Sequence, residues 1–310
     1  MELTQCLNPI YVRKQHKSYP CGKCAYCRSV WLNDWATRLQ MQKEMSQYTI
    51  CCTLTYNSDN LPHSENGVPM LSKDDIQKFF KRVRKELTKS YADCSIQYFI
   101  SGEYGSSFLR PHYHLILFVN TENIGYTQYD FQTVLLNKWR KGFIQFMPNN
   151  NLSLGYLAKY IGKTTGISEY AETNEIPLPF VLMSRNPAIG AKYLEKGNNF
   201  EYHFSSLENS HILLPGMGNK IIPKYIRRVV YQHYSKERKD KYYEELRIKK
   251  SKENENKLEK RRKYYRDCHS SSHVYSRTCE KLEREREYND TIKQQARVNE
   301  DLNYLNRKLK

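Results

Sequence analysis

The sequence predicts an α+β protein, and three observations support that class. Runs of strand length, rich in β-branched and aromatic residues, lie at Tyr48–Tyr56, Ser95–Glu103 and Arg110–Val119. Stretches of helical periodicity lie at Val30–Met45 and from Ser72 to Leu87. The second and third strands are joined by a short loop, which favours an antiparallel hairpin. A chain of 310 residues can form one large or two moderate domains around such elements.

The charge of the chain indicates a polyanionic partner. Lys and Arg number 50 against 33 Asp and Glu, so the formal net charge is +17. This balance favours nucleic acid or an acidic membrane surface, although a merely solubilising surface also fits. The 26 tyrosines add flat rings on which bases can stack, so we expect nucleic acid to be the partner.

Neither a membrane span nor an export signal is predicted. No apolar run approaches the ~20 residues that a bilayer requires. The first residues also lack the charged-then-apolar layout of a signal peptide. We therefore expect a soluble protein of the cytoplasm with no membrane partner, in which the nine cysteines are thiols or metal ligands rather than a disulfide framework.

Three cysteines near the N-terminus, Cys21, Cys24 and Cys27, repeat with two residues between neighbours. This spacing lets thiolates converge on a structural metal such as Zn²⁺. A closed zinc site needs four ligands, and Cys6 or His16 could supply the fourth, but no spacing favours either of them. An iron–sulfur cluster has the same shortfall. Free buried thiols therefore remain an alternative to a bound metal.

Two amphipathic helices are predicted before the third strand. Val30–Met45 has Trp31, Trp35 and Leu39 at helical intervals, which indicates a helix packed on a sheet. In the second helix Ser72 is the cap and Asp75 adds a negative charge to the first turn. Its other positions form an apolar stripe (Ile76, Phe79, Phe80, Val83, Leu87) and a basic surface (Lys78, Lys81, Arg82, Arg84, Lys85), which is either a solvated face or a contact for DNA phosphates.

Two histidines, His112 and His114, stand at the head of the strand Arg110–Val119. Alternate side chains of a strand share a face, so the two imidazoles are expected on one side, ~6.6 Å apart along the strand. That spacing suits two ligands of one metal ion, and two buried, hydrogen-bonded histidines are the alternative. If the hairpin forms, Glu103 arrives beside them and completes a set that fits Mn²⁺ or Mg²⁺ and does not exclude Zn²⁺, whereas an ordinary surface glutamate is the other interpretation.

A second chemical motif follows the short strand GFIQF, where the pattern becomes helical. At about 100° per residue, Tyr156, Lys159, Tyr160 and Lys163 share an arc of about 100°. Tyrosine stripes more often belong to a core, but this one has its own apolar backing of Leu154, Leu157, Ala158 and Ile161. Phenols beside ammonium groups suit phosphodiester transfer, in which a lysine stabilises charge or handles a proton and a metal polarises the phosphate.

These motifs together resemble the HUH endonucleases, in the branch of rolling-circle replication initiators. The resemblance rests on the His112–His114 strand, the Tyr-x-x-Lys frames at Tyr156 and Tyr160, and TLTY at Thr53–Tyr56. More narrowly, the chain resembles the VP4-type initiators of gokushovirus-like Microviridae, small single-stranded DNA phages. That likeness covers roughly residues 18–225 and includes PCGKCAYCR, TLTYNSDNLP, GEYG, RPHYHLILF, YLAKYIGK and MSRNPAIG.

The resemblance implies a fold, a site and an activity. It implies a central antiparallel sheet flanked by helices, a metal held by His112 and His114 with Glu103 as the third ligand, and nucleophiles at Tyr156 and Tyr160. One tyrosine would nick the viral-strand origin and keep the 5′ end as a phosphotyrosine. The other would later cut the regenerated origin so that the strand is rejoined into a circle. Origin DNA, a host helicase and a host polymerase are the partners implied, in the host cell cytoplasm.

We expect three regions along the chain. Residues 1–45 form a cysteine-containing segment and helix that is part of, or packed on, the catalytic domain, and residues 46–225 form the endonuclease domain. Residues 226–310 form a charged extension. Its last 80 residues carry 23 basic and 15 acidic side chains, a surplus of +8, which is typical of a charged helix or a partly disordered arm.

Two other functions fit the same residues. A relaxase or a transposase-type HUH nuclease would use the same chemistry in a different DNA context. A basic nucleic-acid-binding protein without catalytic activity would keep the charge and the cysteines but would form no covalent adduct with DNA.

Overall fold

Two compact units make up the computed structural model. The larger unit comprises Leu32–His203 and Asn209–Arg228, and the smaller comprises Met1–Trp31, Phe204–Glu208 and Val229–Lys310. Within them the structure describes residues 6, 8–15, 17–91, 93–105, 108–147, 167–206 and 210–268.

Helices and strands are mixed along the described part of the chain. The strands are β1 (Ile10–Val12), β2 (Lys17–Tyr19), β3 (Tyr48–Tyr56), β4 (Ser95–Tyr104), β5 (Pro111–Asn120), β6 (Gly142–Met147), β7 (Phe180–Met183), β8 (His211–Leu214) and β9 (Gly218–Ile221). The α-helices are α1 (Ala25–Glu44), α2 (Lys73–Ser90), α3 (Gln128–Trp139), α4 (Ser168–Thr173), α5 (Asn199–Ser205), α6 (Lys224–Gln232) and α7 (Lys236–Cys268). Short 3-10 helices lie at Arg13–Gln15 and Ala191–Glu195.

A five-stranded antiparallel sheet organises the larger unit. Its strand order is β6-β3-β5-β4-β7, so β5 is the middle strand and pairs with β3 on one side and β4 on the other. The predicted hairpin is present: Glu103 of β4 lies opposite His112 of β5, and Ser101 lies opposite His114. The predicted α+β fold, with a central antiparallel sheet flanked by helices, is therefore confirmed.

Alternate residues of β5 enter two different cores, because successive side chains of a strand point to opposite faces. On one face Leu115 and Leu117 join a core that includes the apolar stripe of α2 and residues of α3. On the other face Ile116 and Phe118 pack with Trp35 of α1. Each large apolar side chain buried in this way contributes roughly 1.5–3 kcal/mol relative to exposure. The strand is covered on both sides, as its run of apolar residues predicted.

Helix α1 begins earlier than predicted. It starts at Ala25 rather than Val30, because the backbone N–H of Cys27 donates a hydrogen bond to Sγ of Cys24 at 3.5 Å and so satisfies an N–H group of the first turn. The predicted apolar stripe also needs one correction. Trp35 is buried as expected, but Trp31 remains 43% exposed.

Helix α2 agrees with its prediction. The Ser72 side chain caps it by accepting a hydrogen bond from the backbone N–H of Asp75 at 3.1 Å. Every member of the predicted apolar stripe is buried. The Asp75 carboxylate has an additional role, because it accepts a hydrogen bond from the Tyr56 hydroxyl at 2.9 Å and pairs with Lys141 at 3.0 Å.

The sequence did not predict two elements of the larger unit, α3 and β7. Helix α3 is capped by Thr127, whose backbone N–H and hydroxyl both donate to Asp130. Strand β7 forms one edge of the sheet by pairing with β4, in a segment predicted to contain only loops and short elements. It is four residues long and only partly buried, so its local pattern is weak.

The C-terminal region of the smaller unit is helical as far as it is described. Helix α7 runs from Lys236 to Cys268, which favours the charged helix over the disordered arm for these residues. Among the described residues no helix is both long and apolar enough to cross a bilayer.

A hydrogen-bonded network fixes the end of β5 to α2. The Tyr113 side chain points away from the face that carries the histidines, and its hydroxyl accepts from the backbone N–H of Ser72 at 2.7 Å. The hydroxyls of Tyr56 and Tyr113 are 2.9 Å apart. Since the Tyr56 hydroxyl donates to Asp75, it accepts from Tyr113. The network therefore joins β3, β5 and the start of α2 beneath the histidine-bearing face.

We expect the Tyr113→Phe substitution to lower the free energy of unfolding by about 1–3 kcal/mol, because it leaves two buried polar groups without a partner. Urea denaturation of the full chain measures this change. Tyr129→Phe is the matched control, since Tyr129 is exposed on α3. Equal urea midpoints for the two variants would contradict the structural role of the network.

Candidate metal centre

Three side chains that the sequence singled out meet on one face of the sheet. His112 and His114 share a face of β5, and Glu103 reaches the same face because it is the antiparallel partner of His112. Further along β5 this face is apolar, with Ile116 and Phe118 in the core under α1. The strand thus changes from core residues to metal-ligating residue types at its N-terminal end.

The three groups converge on one point. Oε1 of Glu103 lies 2.9 Å from Nε2 of His112 and 2.9 Å from Nε2 of His114. One ligand atom from each residue lies within 4.8 Å of the others. Glu103 and His114 are buried, whereas His112 is partly exposed. The centre is therefore shielded on one side and open on the side of His112.

Neighbouring oxygen atoms fix the orientation of both imidazoles. Nδ1 of His114 is 3.1 Å from the hydroxyl of Thr53, and Nδ1 of His112 is 3.1 Å from the carbonyl oxygen of Arg110. A carbonyl oxygen only accepts, so Nδ1 of His112 carries the hydrogen and Nε2 presents its lone pair to Glu103. Outer contacts of this kind hold a ligand histidine in the right tautomer and orientation.

The donor set fits a divalent cation. The lone pair of His112 Nε2 and the Glu103 oxygen attract each other only when a proton or a cation lies between them. Burial by itself raises the pKa of Glu103, but hydrogen bonds from His112 and His114 outweigh it and hold that pKa below its ordinary value. Two imidazole nitrogens and one carboxylate oxygen suit Mn²⁺, Mg²⁺ or Zn²⁺.

A second group with metal-ligating residue types lies in the smaller unit. Cys21, Cys24 and Cys27 come together as their spacing predicted, and Cys6 joins them, so that the four Sγ atoms lie within 4.8 Å of one another. The other predicted candidate for the fourth position, His16, lies outside the described residues. Backbone N–H groups of Cys24 and Lys23 lower the pKa of Cys21 to about 6. Burial raises the pKa of Cys27 to about 12.

The predicted nucleophiles and their lysines, Tyr156, Tyr160, Lys159 and Lys163, lie outside the described residues. Two described phenols are close to the centre in the fold, Tyr56 and Tyr113, but both point to the opposite face of the sheet. Burial raises the pKa of both, that of Tyr113 to about 12. They remain protonated and hydrogen-bonded, which suits a structural role.

Sequence reasoning missed the two groups that orient the histidines. Thr53 lies in TLTY, a segment that the sequence did single out, but its contact depends on the register of β3 against β5, in which Thr53 pairs with His114. The Arg110 carbonyl acts through its backbone, so residue type gives no signal for it. Register across the sheet is the information that could have found Thr53.

An antiparallel α+β sheet with two histidines and a glutamate converging on its middle strand defines a class of proteins equipped to hold a divalent cation on a sheet face. Within that class, residues 49–165 match the family model of the replication-associated protein ORF2. The matched region contains β4 and β5 and most of β3, and hence all three residues of the centre.

Two phage proteins are similar over most of the chain. The replication-associated protein ORF2 of Spiroplasma virus 4 is 28% identical over 245 residues, which cover 72% of this chain and 73% of that protein. The replication-associated protein VP4 of Bdellovibrio phage phiMH2K is 27% identical over 240 residues, covering 73% and 70%. The resemblance to phage replication proteins that the motifs predicted is confirmed.

One solved structure also aligns with the chain. It is the N-terminal nuclease domain of non-structural protein 1 of minute virus of mice, with 9% identity, 67% of this chain and 99% of that domain covered, and a TM-score of 0.21. At this TM-score the alignment supports no conclusion about the present protein.

We expect the purified protein to bind Mn²⁺, and Glu103→Ala, His112→Ala and His114→Ala each to abolish measurable binding, because each removes a ligand atom. Isothermal titration of metal-stripped protein measures this. Mn²⁺ is the informative probe because hard cations disfavour thiolate ligands, so the cysteine group does not contribute. His63→Ala is the control, since His63 is exposed and outside the centre. Undiminished Mn²⁺ affinity in all three ligand variants would rule out this centre.

The hydroxyl of Thr53 provides a finer test. Thr53→Val removes the contact to His114 with little change of shape, and we expect roughly a 10-fold loss of Mn²⁺ affinity. Thr55→Val is its match, because Thr55 lies two residues along on the same face of β3 and its hydroxyl bonds only weakly, at 3.4 Å, to the Phe143 carbonyl. Equal affinities for the two valine variants would show that Thr53 does not orient the ligand.

Proposed function

We propose that the protein initiates rolling-circle DNA replication as a metal-dependent, site-specific endonuclease and strand transferase that acts on single-stranded or melted origin DNA. The observation that carries the proposal is the convergence of Glu103, His112 and His114 on the middle strand of the sheet. Two further facts support it: the match of residues 49–165 to a replication-associated family and the similarity to phage replication-associated proteins.

The charge of the protein suits this substrate. A net charge of +17 favours association with the phosphates of DNA, and such attraction weakens as salt increases. The basic surface of α2 is not next to the centre, because the apolar stripe of α2 packs on the opposite face of the sheet. DNA held at the centre therefore relies mainly on other cationic groups, and Lys159 and Lys163 are the ones that the sequence places beside the proposed nucleophiles.

In this proposal Glu103, His112 and His114 hold one divalent cation. When bound, the cation supplies Lewis-acid polarisation of the scissile phosphate. Thr53 and the Arg110 carbonyl keep the two imidazoles aimed at the cation. The buried carboxylate of Glu103 remains ionised beside them, so the ligand set is formed before DNA arrives and little reorganisation is needed.

The bond-making step belongs to the tyrosines. The phenol oxygen of Tyr156 or Tyr160 attacks the phosphorus, a tyrosine–phosphate ester forms, and the bond between phosphorus and the 3′ oxygen breaks. The phenol proton passes, through Lys159 or Lys163, to the departing 3′ oxygen, which leaves as a hydroxyl able to prime synthesis. One phosphodiester replaces another, so the reverse attack by a 3′ hydroxyl rejoins DNA without ATP.

Two nucleophiles permit a complete cycle. One tyrosine keeps the 5′ end while the strand is displaced, and the other cuts the regenerated origin. The hydroxyl released by the second cut attacks the first phosphotyrosine and closes the circle. On the predicted helix, residues four apart share a face, so both phenols can serve one centre. Displacement of the strand requires a helicase and a polymerase, which we assign to the host, with the host cytoplasm as the site of action.

The decisive experiment incubates the full-length protein with labelled single-stranded DNA carrying the phage origin and Mn²⁺ or Mg²⁺, followed by a denaturing gel. We expect a covalent protein–DNA adduct that EDTA prevents and that His112→Ala or His114→Ala abolishes. Tyr156→Phe and Tyr160→Phe should each leave some cleavage but impair circle closure, because each leaves one nucleophile. Tyr129→Phe, an exposed tyrosine on α3, is the control.

The other outcomes separate the alternatives. A relaxase or transposase-type nuclease would form the adduct on DNA unrelated to a replication origin. DNA binding without an adduct from the unaltered protein would identify a non-catalytic binding protein and overturn the proposal. Undiminished closure in both single tyrosine variants would refute the scheme with two nucleophiles.

A further inference from the structure

The four cysteines of the smaller unit form a compact group drawn from two separate segments. Cys6 lies 15 positions before Cys21, and the other three stand in the turn that leads into α1. Sγ of Cys27 is 3.5 Å from Sγ of Cys6 and 3.9 Å from Sγ of Cys21. Cys6 and Cys27 are buried, whereas Cys21 and Cys24 are partly exposed. This arrangement brings four sulfurs together although two segments supply them.

The sulfur separations match one tetrahedral ion. Zinc–sulfur bonds of about 2.3 Å in a tetrahedron place the sulfurs about 3.8 Å apart. A disulfide requires about 2.05 Å between sulfurs, which is far shorter than either separation in this group. An iron–sulfur cluster needs its iron and sulfide atoms between the thiolates and therefore a wider arrangement. The geometry thus favours a single tetrahedral cation over both alternatives.

Backbone N–H groups point at these sulfurs, as they do where thiolates must carry negative charge. Gly22 has a φ of +73°, a conformation that L side chains rarely adopt, and it turns the chain between the second and third cysteine. The hydrogen bonds run from Cys21 N to Cys6 Sγ at 3.2 Å, from Lys23 N to Cys21 Sγ at 3.4 Å, from Cys24 N to Cys21 Sγ at 3.3 Å, and from Cys27 N to Cys24 Sγ at 3.5 Å.

We propose that Cys6, Cys21, Cys24 and Cys27 bind one Zn²⁺ in a closed structural site that ties the N-terminal segment to the start of α1. Four protein ligands leave no open position for substrate, so the site stabilises the fold and takes no part in chemistry. The inference is independent of the proposed nuclease function, because the two groups share no residue.

The segment between Cys6 and Cys21 explains why a metal is needed. It contains the hairpin of β1 and β2, two strands of three residues each. Ile10, Tyr11 and Tyr19 of this hairpin are exposed, so it has little apolar burial to hold it together. An isolated two-stranded hairpin is marginal in water, and small segments without a core commonly depend on a metal or disulfide. A zinc ion that closes this loop supplies the missing constraint.

Cobalt substitution of the reduced, full-length protein tests the proposal. Co²⁺ bound to thiolates gives a thiolate-to-metal charge-transfer absorption, whereas Co²⁺ at Glu103, His112 and His114 gives none. We expect this absorption in the unaltered protein and in His114→Ala, and we expect Zn²⁺ to displace the Co²⁺. Cys6→Ser and Cys24→Ser should lose most of it. Cys94→Ser, a cysteine outside the group, should keep it.

A second measurement needs no variant that could fail to fold. Titration of the unaltered, purified protein with a mercurial reagent should release about one zinc per chain, after modification of about four thiols, with a dye reporting the released metal. Absence of the charge-transfer absorption, its persistence in Cys6→Ser, or iron in place of zinc in the purified protein would each overturn the proposal. Because the readout is spectroscopic, it stands or fails separately from DNA cleavage.

Discussion

The pairing register between β4 and β5 is the constraint on which the centre depends. It places Glu103 directly across from His112, and the period of two along β5 brings His114 to the same side. A slip of one residue would turn all of these side chains to the opposite face and expose the apolar ones. The apolar residues Leu115, Leu117, Ile116 and Phe118 on the two faces prevent that slip, because each face is buried in its own core. Packing therefore specifies the chemistry indirectly.

The two faces of β5 have different tasks. On one face Tyr113 joins Tyr56, Ser72 and Asp75 in a closed hydrogen-bonded network that holds the strand against α2. On the other face the histidines are aimed by Thr53 and by a backbone carbonyl. Polar groups on the first face are satisfied by neighbours within the protein, which suits structure. Those on the second face converge on a single point, which suits a cation.

Local sequence was sufficient for much of this fold. The strands, the hairpin, α2 with its cap and the paired histidines all follow from periodicity, turn composition and capping, and the structure agrees with each of them. What failed depended on distant partners. Cys6 joins the cysteine group from 15 positions away, Thr53 acts through the neighbouring strand, and β7 gains its place by pairing with β4. No local pattern carries such information. The roles of Tyr156 and Tyr160 stay predictions from the motif.

The position of β5 in the middle of the sheet also limits what can move. It is hydrogen-bonded to β3 along eight paired positions and to β4 along ten, so displacing the histidines would mean breaking ladders on both edges at once. The imidazole pair is consequently a fixed reference within the molecule. If successive phenols take turns at a phosphate, the exchange must come from the segment that bears them and from the DNA. Amide protons of this strand should accordingly be among the slowest in the chain to exchange with water.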